Sequence, residues 1–277
     1  MGKGALWQRT ASGILFLVAV ISGLLSPWGV LLLVCLLAVL LSQEFYHMTV
    51  DRRYSKEIIC VLLGSVVMLA LLWAHFQWGI EAKYVMLGFL PVLAASVFLL
   101  FDAAADHDFP SAVYFPVVYI ALPLAAMVLL AWPGGVFTWR LLLGLLCLLW
   151  LNDIGAYVFG MSFGQRPDSR KLFPALSPKK SWVGAIGGTV CTFLAAWGVY
   201  SLFGSAVLPL VHWMALALIV SFFGVTGDLF ESLIKRHAQV KDAGTIIPGH
   251  GGLLDRFDDV LFVLPVAAIY LKMFSLL

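Results

Sequence analysis

From Ser12 to Leu41 the chain runs thirty residues without one charged side chain. As an α-helix rising 1.5 Å per residue, that run would be about 45 Å long. The hydrocarbon core of a bilayer is only about 30 Å thick, so the run exceeds one comfortable crossing. Pro27 lies near its middle, and proline lacks the N–H that a helix interior requires. Two helices are therefore expected, roughly 7–25 and 28–46. Further apolar stretches near 58–76, 84–101, 112–132, 140–160, 183–203, 208–226 and 260–276 bring the expected number of spans to nine.

Composition supports this class. Of 277 residues, 62% are hydrophobic and only 12% charged, where a soluble domain carries about 25% charged. That is more apolar side chain than a globule of this size can bury. A soluble enzyme, a disordered chain and a nucleic-acid binder are excluded. The expected fold class is an all-α polytopic membrane protein with the lipid bilayer as its surroundings and no nucleic acid as partner. Cys35, Cys60, Cys147 and Cys191 all lie inside apolar runs without a CxxC pair, and read as small buried hydrophobes. Lys3 and Arg9 precede the first apolar run as in a signal peptide. No small-residue cleavage site precedes Ser26-Pro27-Trp28, so a retained first span is expected.

The positions of the basic residues orient the spans. With the N-terminus cytoplasmic, the segments 1–6, 47–57, 102–111, 161–182 and 227–259 face the cytoplasm. They hold 14 of the 17 Lys and Arg residues, counting Arg9 as snorkelling to that face, and Lys83, Arg140 and Lys272 fall on the other side. This asymmetry follows the positive-inside rule. Residues 1–140 are expected as N-terminal transmembrane helices, and 141–277 as a C-terminal catalytic region whose cytoplasmic segments are 161–182 and 227–259. Trp28, Trp132 and Trp139 stand near span ends, as in an aromatic belt.

Chemistry concentrates in residues 227–259. Asp228, Glu231 and Lys235 are spaced i, i+3, i+7 and share one helix face, with Ser232 beside them. Asp255, Asp258 and Asp259 repeat acids at i, i+3, i+4 where the last span begins. Carboxylates are hard oxygen ligands of the kind Mg²⁺ accepts, usually with phosphate oxygens and waters completing its shell. Between the two acidic groups lies Pro248-Gly249-His250-Gly251-Gly252, and glycine lets backbone N–H groups approach an anion closely. Lys235, Arg236, Lys241 and Arg256 accompany the acids. Cations for phosphates and carboxylates for a metal, together at a membrane face, suit phosphoryl-type chemistry on a lipid head group.

The order Ser232-Leu-Ile-Lys235-Arg236, Lys241-Asp242, Pro248-Gly-His250-Gly-Gly and Leu254-Asp255-Arg256-Phe257-Asp258 resembles the signature of the phosphatidate cytidylyltransferases, or CDP-diacylglycerol synthases. Asp153-Ile-Gly-Ala-Tyr157-Val-Phe-Gly160, Ser177-Pro178-Lys179-Lys180-Ser181-Trp182 and Gly227-Asp228-Leu-Phe-Glu231-Ser are also similar to that family. The resemblance covers about residues 150–260; the first 140 residues share only a succession of apolar spans.

The resemblance implies transfer of the cytidylyl group of CTP to phosphatidic acid, giving CDP-diacylglycerol and pyrophosphate, with Mg²⁺ and a second cation such as K⁺. It implies Asp228, Asp255 and Asp258 as metal carboxylates. Lys235, Arg236, Lys241, Asp242, His250 and Arg256 would be catalytic. Asp153, Lys179, Lys180, Ser181, Ser232, Gly249, Gly251 and Gly252 would bind substrate. Two positions depart from the pattern: Val183 replaces an acid or amide, and Asp259 stands where a serine is expected and receives no ligand role. A homodimer and a bacterial inner-membrane location remain expectations.

A CTP-dependent transferase acting on another lipid phosphate is one alternative, because nothing in the spans distinguishes acyl from isoprenoid chains. A transporter would instead spread charges through its spans near the midplane. Here they gather at one face.

Overall fold

The computed structural model describes residues 3–50, 54–101, 111–166, 169–174, 176–249 and 251–277. The chain divides into two compact units. The first comprises Met1–Phe137, Val240–Arg256 and Leu277, and the second Thr138–Gln239 and Phe257–Leu276.

In the first unit, α1 (Lys3–Leu24) and α2 (Pro27–Thr49) are separate helices. Ser26 caps α2 by accepting the Gly29 N–H at 3.0 Å, and Pro27 occupies the first helical position. A missing N–H costs nothing there. Helix α3 (Ser55–Trp78) ends on Gly79 at φ 70°, a left-handed stop that glycine adopts without strain. A 3₁₀ segment, Ala82–Gly88, leads into α4 (Phe89–Phe101). The expected span at 84–101 is therefore broken near Pro91, which sits in the first turn of α4. Helix α5 (Ser111–Pro116) passes through a π-helical turn, Val117–Ala121, into α6 (Leu122–Ala131). Pro116 and Pro123 bracket that turn, each removing a donor from the helical ladder.

Leu41, Leu69, Ile120, Leu124 and Met127 are fully buried in this unit. Trp28 packs on Trp73 at 4.7 Å between ring centroids, Trp73 packs on Trp78 at 5.0 Å, and the Trp73 indole donates to the Pro27 carbonyl at 2.7 Å.

The second unit holds α7 (Arg140–Phe163), an antiparallel hairpin of β1 (Lys171–Phe173) and β2 (Ser177–Ser181), and α8 (Trp182–Phe203). Helices α9 (Leu210–His237) and α10 (Asp258–Met273) complete it. The hairpin corrects the all-α expectation: a short two-stranded sheet occupies part of segment 161–182. Helices α7 and α8 approach backbone to backbone. A Cβ on Gly188 would lie 2.9 Å from the Asn152 carbonyl, and one on Gly184 would lie 2.9 Å from the Ala156 carbonyl. Small residues permit such approach between apolar helices, where dispersion replaces a hydrophobic driving force. Within this contact Thr192 donates to Asn152 Oδ1 at 3.1 Å.

Among the described residues six helices are long and apolar enough to cross a membrane: α2, α3, Ala112–Ala131, α7, α8 and α9. Thr10–Leu24 and Ala82–Phe98 are shorter apolar helices, and α10 has 16 residues. Large apolar side chains point outward, Leu32 at 69% and Leu194 at 65% exposure. Lipid satisfies such a surface where water does not. The coarse reading is a multi-pass membrane protein.

Candidate active site

Helix α9 does not stop where its apolar stretch ends near residue 226. It runs on to His237, so Asp228, Glu231, Ser232, Lys235 and Arg236 are helical and lie outside any loop. Glu231 is 1% exposed, and its Oε2 accepts from Lys235 Nζ at 2.6 Å. Glutamate one turn before lysine is the favourable order on a helix. Asp228 forms an ion pair with Lys180 of β2. Arg236 is exposed.

Helix α10 begins on two buried acids, Asp258 and Asp259. The positive end of a helix dipole favours acids in the first turn. Gly227 lets α9 meet that turn. A Cβ there would collide with the Asp258 carbonyl oxygen and lie 3.0 Å from the Asp259 Cα. Asp228 and Asp258 are thereby brought into one electrostatic group. Burial first, then the charges of Asp228, Asp259 and Glu231, push the Asp258 carboxyl well above its ordinary range. Burial first, then Asp153 of α7, does the same to Asp259, partly offset by the Val260 N–H donating to its Oδ1 at 2.7 Å. Both acids lie ahead of the apolar stretch 260–276.

The hairpin is fastened to the end of α7. Lys171 Nζ donates to the Gly164 carbonyl at 2.8 Å, and Gln165 Nε2 donates to the Lys179 carbonyl at 3.0 Å. Lys179 is exposed and Lys180 half-buried. Ser181 caps α8, its Oγ accepting the Gly184 N–H at 3.2 Å. Its hydroxyl thus has a structural partner that the sequence pattern did not reveal.

In the first unit, segment 240–256 is a loop organised by carboxylates. Asp255 Oδ2 accepts the N–H of Gly252 at 2.8 Å and of Ala243 at 3.0 Å. The Ile247 N–H donates to the Gly251 carbonyl at 3.0 Å and closes the turn, with Gly249 at φ 78° and Gly251 at φ 88°. Only glycine adopts that backbone routinely. Lys241, Asp242 and Arg256 are exposed around the loop. His250 lies outside the described residues.

Sequence reasoning passed over Glu44. It sits on α2 and is 4% exposed; its Oε1 accepts the Leu253 N–H at 2.9 Å and its Oε2 the Leu254 N–H at 2.7 Å. The available signal was an acid inside an apolar span. The glycine-rich turn had been expected to receive a phosphate on its N–H groups. The N–H of Gly252 donates to Asp255.

Among the described residues no three His, Cys, Asp or Glu side chains are grouped to hold one metal ion. Asp228 and Asp258 nevertheless fit a hard cation. They are hard oxygen donors, and after burial the charge of Asp228 is the next cause that raises the Asp258 carboxyl, a cost that a divalent charge would offset. Asp255 has its oxygens engaged by loop amides. Clustered acids beside Lys180 and Lys235 suit binding of a polyphosphate with its counter-ion.

Residues 7–274 match the model of a family described as the cytidylyltransferase family. The chain is 44% identical over 127 residues to a phosphatidate cytidylyltransferase of Bacillus subtilis (strain 168), covering 46% of this chain and 45% of that one. It is 45% identical over 123 residues to a protein of the same name from Staphylococcus saprophyticus, covering 44% and 45%. A third, from Staphylococcus aureus (strain COL), is 44% identical over 124 residues, covering 45% and 46%. In each match the chain spans slightly under half the length of the relative.

Proposed function

The chain belongs to the cytidylyltransferase family, and from that premise we propose that it transfers the cytidylyl group of CTP to phosphatidic acid. The products would be CDP-diacylglycerol and pyrophosphate. The observation that carries this reading is the acid cluster of Asp228, Asp258 and Asp259 with Lys180 paired to Asp228. Names of the relatives supply the lipid and the nucleotide.

In this reading a phosphate oxygen of the lipid attacks the α-phosphorus of CTP. One P–O bond forms there, and the bond to the β-phosphate oxygen breaks as pyrophosphate leaves. The attacking oxygen is already anionic, so no strong general base is required. The protein's work is to hold two polyanions in line and offset their charge. Lys180 and Lys235, from β2 and α9, would balance phosphate charge against the acids. Asp228 and Asp258 would hold Mg²⁺, which when bound neutralises phosphate oxygens; a second cation such as K⁺ would add to that neutralisation. Segments 161–182 and 227–259 would face the cytoplasm of a bacterial inner membrane, and α1, α4 and the part of α10 from residue 260 onward would add to the six long spans.

The test is pyrophosphate release by purified protein in detergent with phosphatidic acid, Mg²⁺ and each ribonucleoside triphosphate. Release with CTP alone among the four, dependent on lipid and metal, is expected. Release with a different lipid phosphate in place of phosphatidic acid would keep the chemistry and change the substrate. No release with any nucleotide from folded protein would overturn the reading.

A further inference from the structure

We infer that Glu44 is a positioning residue, whose carboxylate sets the shape of the 240–256 loop. The inference rests on the reading above, in which that loop serves cytidylyl transfer.

Glu44 is badly placed for any role within its own helix. It stands in the last two turns of α2, five residues before Thr49, where the helix dipole disfavours an acid. It is also buried, and an unpartnered buried charge is costly. Partners come from the loop. Two successive amides, Leu253 and Leu254, donate to its two oxygens at 2.9 and 2.7 Å. Charge-assisted bonds of this kind are stronger than neutral ones, and two together fix orientation as well as distance.

The loop is shaped to receive this carboxylate. A Cβ on Gly252 would lie 2.8 Å from Glu44 Oε2 and 3.0 Å from Oε1. One on Gly244 would lie 2.8 Å from Glu44 Cδ and would collide with Oε1. Only residues without a side chain fit on either flank. Asp255 holds the same loop from within, through the amides of Ala243 and Gly252. Glu44 holds it from outside, as does Ser12 of α1, whose Oγ donates to the Pro248 carbonyl at 3.0 Å. Between the two carboxylates, the amides of 243, 252, 253 and 254 are all engaged. The exposed cations at the loop's ends, Lys241 and Arg256, depend on that shape for their placement.

The test uses full-length protein in detergent. Amide hydrogen exchange across 240–256 is followed in Glu44→Ala, Glu44→Gln and Gly244→Ala, beside steady-state turnover with CTP and phosphatidic acid. In Glu44→Ala, exchange at Leu253 and Leu254 should rise at least about tenfold while α7–α9 exchange as before, and kcat should fall about 10- to 100-fold. Glu44→Gln keeps one acceptor oxygen and should fall between wild type and Ala on both measures. Gly244→Ala leaves Glu44 in place but spoils its seat, and should resemble Glu44→Ala. This keeps the question answerable if Glu44→Ala fails to fold.

Unchanged exchange at Leu253 and Leu254 in Glu44→Gln and Gly244→Ala would overturn the inference. So would a loosened loop with undiminished kcat. Absence of any transfer by the wild-type protein, with exchange altered as expected, would instead overturn the cytidylyl reading and leave Glu44's hold on the loop standing.

Discussion

Two sets of buried carboxylates in this protein meet the cost of burial in opposite ways. Glu44 spends both oxygens on backbone amides of the 240–256 loop. Burial first, and then neighbouring acids, push the carboxyls of Asp258 and Asp259 well above their ordinary range. A carboxylate satisfied by amides braces the backbone that it touches. In the proposed reading, Asp258, which lies among other acids, would instead meet a cation.

The comparison breaks first at Asp258. Asp258→Asn should lower turnover by about a thousandfold or more, the scale expected when an electrostatic partner of a phosphoryl transition state is lost. It should also raise the thermal midpoint of the metal-free protein, because a repelled buried charge disappears. Added Mg²⁺ should stabilise wild type and not this variant. Glu44→Ala should move stability the other way, down by about 2–4 kcal/mol, because two buried N–H groups lose their acceptor. If both variants shifted the midpoint in the same direction, the distinction would be wrong.

A pH series sharpens the contrast. The Asp258 carboxyl is raised above its ordinary 3.8. Between that value and the raised one, the folded protein holds a proton that the unfolded chain has released. Stability of the metal-free protein should therefore be greatest below the ordinary range and decline as pH rises through the raised value. Asp258→Asn should flatten the decline, measured as thermal midpoint against pH in a chelating buffer.

Smaller effects follow from the hairpin. Lys180→Met should reduce turnover about tenfold, yet change stability by less than about 0.5 kcal/mol, because Asp228 is 41% exposed and the pair is screened. Ser181→Ala should cost about 1 kcal/mol as a lost helix cap, with turnover altered only a few-fold. A larger loss of turnover would return Ser181 to the substrate.

Local signals were legible from the sequence. Pro27 divided the long first run because its chemistry acts within one turn, and the i, i+3, i+7 spacing placed Asp228, Glu231 and Lys235 on one helical face. Boundaries set by hydropathy were less dependable. Helix α9 continues past residue 226 because its polar last turns carry a Glu231–Lys235 pair. The hairpin at 171–181 is short and polar, with no run of β-branched residues to announce it.

Long-range partners were illegible. Glu44 and Leu253 are 209 positions apart, and no local period links them. Nor could the sequence say that the amides of Gly252, Leu253 and Leu254 donate to side chains of the same protein.

The reaction itself is tested most directly by following the label from CTP carrying ³²P at either the α or the γ position, with phosphatidic acid and purified protein. Cytidylyl transfer predicts that α-label enters the lipid phase, while γ-label leaves only as pyrophosphate. Label from the γ position in the lipid would mean attack at the terminal phosphate, and would contradict the account.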